Sequence, residues 1–203
     1  MENIAAMLIL ASQSQTRKAL LQQAGLVFSA APAELDERAL QDATLAAGGD
    51  GRDVALLLAQ RKALTVSAGH PGAIVIGADQ TLSLGTELLH KPEDRNQAAA
   101  QLDHLRGKTH RLHAAVALAR NDQLLWSDIQ TAELTMREFS PAERDDVLNR
   151  EGQAVLGSVG SYRLEGPSIR LFETVNGDYF TILGLPLLPL LAALRSFAPE
   201  TLN

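Results

Sequence analysis

Three strand-length apolar runs constrain the fold of this chain more than any other feature: "LILA" (residues 8 to 11), "AIVIGADQTLSL" (73 to 84) and "THRLHAAVALAR" (109 to 120). Stretches with helical spacing alternate with them. Strands this apolar are covered on both faces, and strands that alternate with helices belong to the α/β class. The spacing predicts a helix over Thr16–Ala24, closed by Gly25 as a C′ glycine. A second is expected over Asp53–Ser67, where Val54, Leu57, Leu58, Lys62 and Leu64 recur near every 3.6 residues. Others are expected over Arg95–Leu105, over Pro141–Leu148 with Ser140 as cap and Pro141 at N1, and over Pro186–Phe197.

The extended segments complete a mixed sheet. Residues 27 to 31 read as extended. The 73–84 strand is expected to break at Gly77 and resume after Gln80. The 109–120 run pairs with 123–139 as a hairpin turning at Asn121-Asp122, and two short strands are expected around Asn176-Gly177. Residues 157 to 166 form a glycine-spaced loop. The segment "AAGGDG" (46 to 51) reads as a flexible loop, so residues 1–203 are taken as one domain.

Composition removes several function classes. With 203 residues, 46% of them hydrophobic, the chain can bury a sizeable core. A net charge of −6 gives no broad basic surface for a duplex nucleic acid. Cysteine is absent, which excludes disulfides and thiolate metal sites and fits a cytoplasmic protein. The segment "MENIAAMLILAS" lacks the basic region of a signal peptide. No apolar run reaches the roughly 18–20 residues of a membrane helix, so no membrane partner is expected.

Chemistry-bearing residues sit at the junctions of these elements. Where the first strand meets the first helix, Ser12, Ser14 and Thr16 offer hydroxyls, and Arg17 and Lys18 offer charge. A helix N-terminus there would favour an anion. The plainer reading is a serine-capped helix with a solvated cationic face. There is neither a GxxxxGK[ST] nor a GxGxxG pattern. "ELDE" (34 to 37) clusters carboxylates in a polar loop or at a helix start. Lys62 lies on a mostly apolar helix, where it either reaches for water or serves a site. Asp79 ends an apolar strand at the sheet edge where α/β folds bind ligands, so it could hold Mg²⁺ or orient a water. Lys91 is stiffened by Pro92 and suits a phosphate. His90, His104, His110 and His113 lack the arrangement of a zinc site. The loop bearing Ser158, Ser161 and Glu165 could wrap a base or simply connect strands.

The order of these blocks resembles the Maf family, also called septum formation inhibitor-like proteins, over nearly the whole chain. The matching blocks are "LASQSQTRKALL", the acidic pair Asp36-Glu37, the helix lysine Lys62, "GAD" (77 to 79), "HKP" (90 to 92), "LRGKTH" (105 to 110), "GDYF" (177 to 180) and "GLPL" (184 to 187). The resemblance implies a Maf/Ham1 (ITPase-like) fold: an elongated mixed sheet flanked by helices, with two lobes around a cleft. It implies a nucleoside triphosphate pyrophosphatase that releases a nucleoside monophosphate and pyrophosphate and removes modified or non-canonical nucleotides. A divalent cation, Mg²⁺ or Mn²⁺, and a homodimer are implied as well.

On this resemblance Asp79 is the proton acceptor, Glu37 and Asp79 hold the metal, and Lys62 and Lys91 complete the catalytic set. Ser12, Ser14, Arg17, Lys18, Gln80 and Glu165 bind substrate. Gln15 and Thr16 stand where the family has a proline and its first arginine, and His90 stands in place of a glycine. Gln80 and Glu165-Gly166 resemble the branch acting on 7-methyl-GTP. A carboxylate only accepts hydrogen bonds, which suits the N1–H and N2–H₂ of guanine. "GDYF" and the loop tyrosine, Tyr162, look like the branch acting on dTTP and UTP. Two rival readings are a non-enzymatic nucleotide-binding regulator of septum formation and a nucleotidyltransferase.

Overall fold

The computed structural model describes residues 7–202. It divides into two compact units. The first comprises residues up to Gln80, His113–Gln130 and the chain from Tyr179 onward; the second comprises Thr81–Leu112 and Thr131–Asp178. The strands are β1 (Leu8–Ala11), β2 (Ser29–Ala30), β3 (Ile74–Leu84), β4 (Glu87–Leu89), β5 (Thr109–Arg120), β6 (Gln123–Met136) and β7 (Phe172–Asn176). They form a seven-stranded mixed sheet of order β2-β1-β3-β5-β6-β7, with β4 paired to β3. The helices are α1 (Gln15–Gln23), α2 (Glu37–Ala46), α3 (Gly51–Ala68), α4 (Arg95–Leu105), α5 (Pro141–Glu151), α6 (Tyr179–Ile182) and α7 (Leu187–Phe197).

In the first unit β1 runs parallel to both β2 and β3, with Ala11 opposite Gly77. Side chains alternate across the sheet. Leu8, Leu10, Ile74 and Ile76 pack on Leu20, Leu21, Leu190 and Leu194 of α1 and α7. Each such buried side chain contributes roughly 1.5–3 kcal/mol. On the other face Ala55, Ala59 and Ala63 of α3 meet Ala115, Ala117 and Ala119 of β5. Small residues on both sides let α3 lie close to the sheet. At Gly77 the approach is closest: an added Cβ would sit 2.1 Å from the Ala59 carbonyl oxygen and 2.6 Å from the Ala63 nitrogen. The β5–β6 hairpin turns at Asn121 and Asp122, both at positive φ (53° and 59°), as a two-residue loop matched to strand twist requires.

In the second unit β4 is antiparallel to the end of β3, and β7 is antiparallel to β6. The chain after α5 forms two short 3₁₀ turns, Gly152–Gly157 and Pro167–Leu171.

Several local expectations are corrected. β3 is continuous; Gly77 makes room for α3 and does not interrupt the strand. Of the two readings of residues 34 to 37 the helix start holds, since Asp36 caps α2 and Glu37 opens it; the helix over 37 to 46, which buries no side chain fully, was not expected. The expected second strand after Asn176-Gly177 is the short helix α6. Helix α3 begins at Gly51, since Asp50 and Asp53 form a capping box. That box and the end of α2 leave only a short connection where a flexible loop was expected. Helix α5 extends to Glu151, beyond Leu148, and β6 ends at Met136, short of Phe139. The extended stretch expected over 27 to 31 is a strand only at Ser29–Ala30. Among the described residues no helix is long and apolar enough to cross a membrane.

Candidate active site

Asp79, midway along β3, organises the site in the first unit; the strand does not end at Asp79, as expected, but runs on to Leu84. Because strand side chains alternate, residue 79 faces α3 with Gly77, and residue 80 points to the opposite face. Asp79 therefore meets Lys62, which α3 presents from a position flanked by Ala59 and Ala63. Lys62 Nζ donates to Asp79 Oδ1 at 2.6 Å and lies 3.0 Å from Glu37 Oε1. Glu37 comes from the first turn of α2, whose N-cap Asp36 accepts from the Ala39 nitrogen at 3.0 Å. Of the acidic pair, Asp36 thus fixes the helix and Glu37 turns to the lysine.

Lys62 and Asp79 are buried, whereas Glu37 is half-exposed. Burial raises the Asp79 pKa above the ordinary carboxylate value. The charges of Lys62 and Arg17 and the Lys62 hydrogen bond oppose the rise, and Glu37 adds to it. A carboxylate so placed is a stronger proton acceptor than one in water.

On the other face, Ser14 caps α1, its Oγ accepting from the Arg17 nitrogen at 3.3 Å. The serine cap of the plain reading is thus realised, but its solvated cationic face is not, since Arg17 is largely withdrawn from solvent. The Arg17 side chain turns inward. Its Nε donates to the Gly184 carbonyl at 2.8 Å, and its Nη1 donates to the Ala78 carbonyl at 3.0 Å and to Ser12 Oγ at 3.2 Å. Burial lowers its pKa while Asp79 and Glu37 act to raise it. The guanidinium fork is therefore largely committed to protein oxygens. Ser12 Oγ also accepts from the Ser14 nitrogen at 3.2 Å. With two donors on its oxygen, the hydroxyl has its own hydrogen to give to an anion. Lys18 lies one residue further along α1, half-buried.

Gln80 extends this frame. Its amide nitrogen donates to the Thr181 carbonyl at 3.1 Å and to the Ile182 carbonyl at 3.0 Å. Both N–H bonds are thus spent on α6, and only Oε1 is left to meet a ligand. Gly184, in the turn after α6 at φ 87°, accepts from Arg17. The two carbonyls that hold Gln80 and one of the two that hold Arg17 belong to "TILG" (181 to 184), a segment that carried no such signal in the sequence.

Lys91 and Glu165 belong to the second unit. Lys91 follows β4 at an exposed position. The His90 carbonyl beside it accepts from Gln101 Nε2 at 2.8 Å, and Pro92 is buried. Glu165 is exposed on the loop before the second 3₁₀ turn. Tyr162, the loop residue that resembled the pyrimidine branch, is buried. Its hydroxyl lies 2.8 Å from His110 Nε2, and its ring stands edge-on to Phe172.

Two carboxylates, Glu37 and Asp79, already converge on one cationic centre, the Lys62 ammonium. Such a hard oxygen pair also fits Mg²⁺, which proteins commonly hold by one or two carboxylates with substrate phosphates and water completing the shell. Among the described residues no group of three or more histidines and carboxylates gathers.

Comparison with known proteins shows what the whole chain is similar to. The family model described as Maf-like protein matches residues 7–197. A 7-methyl-GTP pyrophosphatase of Brucella abortus biovar 1 (strain 9-941) is 52% identical over 188 residues, covering 93% of this chain and 94% of the relative. A nucleoside triphosphate pyrophosphatase of Bradyrhizobium diazoefficiens (strain JCM 10833 / BCRC 13528 / IAM 13628 / NBRC 14792 / USDA 110) is 55% identical over 189 residues, 93% of each chain. A 7-methyl-GTP pyrophosphatase of Rhizobium meliloti (strain 1021) is 51% identical over 189 residues, covering 93% of this chain and 95% of the relative.

Proposed function

We propose, for a chain that belongs to the Maf-like protein family, the hydrolysis of nucleoside triphosphates to monophosphate and pyrophosphate. It is a hydrolase acting on an acid anhydride bond, and its preferred base is of the guanine type, with 7-methyl-GTP as the favoured substrate. The observation that carries this reading is the Glu37–Lys62–Asp79 cluster midway along β3, in a chain half identical to pyrophosphatases so named.

The residues divide the work as follows. Asp79 takes the proton of the water that attacks the α-phosphorus, as the bond from that phosphorus to the bridging oxygen breaks and pyrophosphate leaves. Its raised pKa suits that role. Lys62 holds Asp79 in place and supplies positive charge. Ser12, Ser14, Arg17 and Lys18 form the polar junction that meets the phosphates, and Lys91 adds a point charge. A divalent cation, Mg²⁺ or Mn²⁺, held by Glu37 and Asp79 supplies Lewis-acid neutralisation of the phosphate oxygens.

The guanine preference rests on acceptors. Glu165 accepts only, and Gln80, with its amide nitrogen occupied, offers only Oε1. Both suit the N–H donors of a guanine edge. The buried Tyr162 is not available to a base, which weakens the pyrimidine reading.

We read residues 1–203 as one Maf-like domain of a cytoplasmic homodimer that clears modified nucleotides. The test is incubation with Mg²⁺ or Mn²⁺ and 7-methyl-GTP, GTP, ITP, CTP, UTP or dTTP, with detection of both products. Monophosphate and pyrophosphate, abolished in Asp79→Asn, support the reading. Orthophosphate as first product overturns the mechanism. Turnover of dTTP and UTP well above all guanine nucleotides overturns the base preference. No product from any nucleotide favours a non-enzymatic regulator.

A further inference from the structure

We infer that Glu151 is a positioning residue for Glu165, a buried carboxylate that holds the loop on which Glu165 is presented. The inference rests on the reading of Glu165 as a base acceptor given above. All of its parts lie in the second unit.

Glu151 ends α5 and is 5% exposed. Its Oε1 accepts from the Ser168 nitrogen at 3.0 Å and from Ser168 Oγ at 2.7 Å, and its Oε2 accepts from Arg163 Nε at 2.8 Å. Arg163 precedes Glu165 by two residues and Ser168 follows it by three. One carboxylate therefore ties both legs of the loop.

Gly166 lies on the same group. A Cβ there would stand 2.5 Å from Glu151 Oε1, so the loop closes on the carboxylate only because residue 166 has no side chain. Two ties fix the entry to the loop: Tyr162 to His110, and Ser161 Oγ to Gln101 Oε1. Glu165 itself is exposed, with its backbone held from behind.

The chemistry explains why a charge is used. Burial alone would push the Glu151 pKa up, but the bonds from Ser168 and Arg163 outweigh it and leave the group below the ordinary carboxylate range. It is thus held as an anion with its oxygens satisfied by Ser168 and Arg163. A loop ordered before the ligand arrives loses less entropy on binding. A carboxylate meant to read two N–H donors needs that order, because misplacement by about 1 Å forfeits the geometry.

The test is a double-mutant cycle read on two nucleotides, 7-methyl-GTP and UTP. In Glu151→Gln the amide turns N–H bonds toward the Arg163 guanidinium and the clamp opens. The KM for 7-methyl-GTP is expected to rise about tenfold with a smaller change in kcat. The preference for 7-methyl-GTP over UTP should fall, and in a Glu165→Ala background Glu151→Gln should lower it no further. Equal losses on both nucleotides, or an undiminished extra loss in the Glu165→Ala background, overturn the inference.

Should Glu151→Gln fail to fold, Ser168→Ala removes one bond of the clamp. Amide exchange over residues 163–168 should then accelerate without any nucleotide present, and unchanged exchange overturns the inference. No product from the unaltered enzyme sinks the pyrophosphatase reading instead, and exchange in Ser168→Ala then decides for or against the clamp.

Discussion

Asp79 in the first unit and Glu151 in the second are both buried carboxylates beside a cation, yet burial wins at one and loses at the other. Asp79 receives a hydrogen bond from Lys62, and its pKa is raised. Glu151 receives three, from Arg163, the Ser168 nitrogen and the Ser168 hydroxyl, and its pKa is lowered. Deeper burial at Asp79 and more donors at Glu151 thus separate a group poised to take a proton from one held as an anion. The first is suited to chemistry and the second to holding a shape.

The largest expected effect breaks the pair at Asp79. Asp79→Asn removes the proton acceptor and keeps the size, so kcat should fall by about 10²–10⁴-fold in a product assay. A fall of less than about tenfold would place the proton elsewhere. Next is Lys62→Met, which leaves a buried carboxylate without its cation. Breaking one partner of a buried pair costs about 3–5 kcal/mol, to be read as a lower midpoint in urea unfolding. Asp79 should also hold its proton to higher pH in this variant.

A third prediction concerns the second unit's neutral anchor. Burial pushes His110 down to about 4. Unfolded, a histidine titrates near 6.5, so the unfolded chain binds the extra proton between those values. His110 should therefore favour folding fully above about pH 6.5. That contribution, roughly 2–3 kcal/mol, is lost as pH falls toward 4. Denaturant titrations at several pH values should show the slope, and His110→Gln should flatten it.

The smallest effect sharpens the comparison at Asp79 itself. The acid limb of kcat/KM should lie above the ordinary aspartate value of about 3.9, since the folded pKa is raised. Glu151, whose pKa is lowered, should contribute nothing to that limb. A limb at or below about 3.9 would remove Asp79 as its source.

How much of this was legible in the sequence differs along the same line. The Asp79 half could be read: an apolar strand leading into "GAD" and a lysine on an apolar helix announce themselves through local spacing, although the strand runs on past Asp79. Glu37 needed the family pattern, because α2 buries no residue fully and the carboxylates at its start read equally well as a polar loop. The Glu151 half could not be read. Its partners lie 12 and 17 residues downstream in an irregular segment, and α5 was expected to stop before it. Similarly, "YFTI" has strand-prone residues, yet tertiary context makes it helical. Arg17 advertises charge in the sequence, but only the fold reveals that it is spent on carbonyls of distant segments.

The absent side chain at Gly77 carries a consequence for mutational surveys. Position 77 has no side-chain group to donate, accept or ionise, yet it sets how near α3 comes to the strand that carries Asp79. Any substitution must lift the helix, and with it Lys62, from its carboxylate. In a saturation scan scored by activity, this position should be as intolerant as the acid and the lysine themselves. A survey that ranks residues by such scores would count as a reactant what is in fact a spacer.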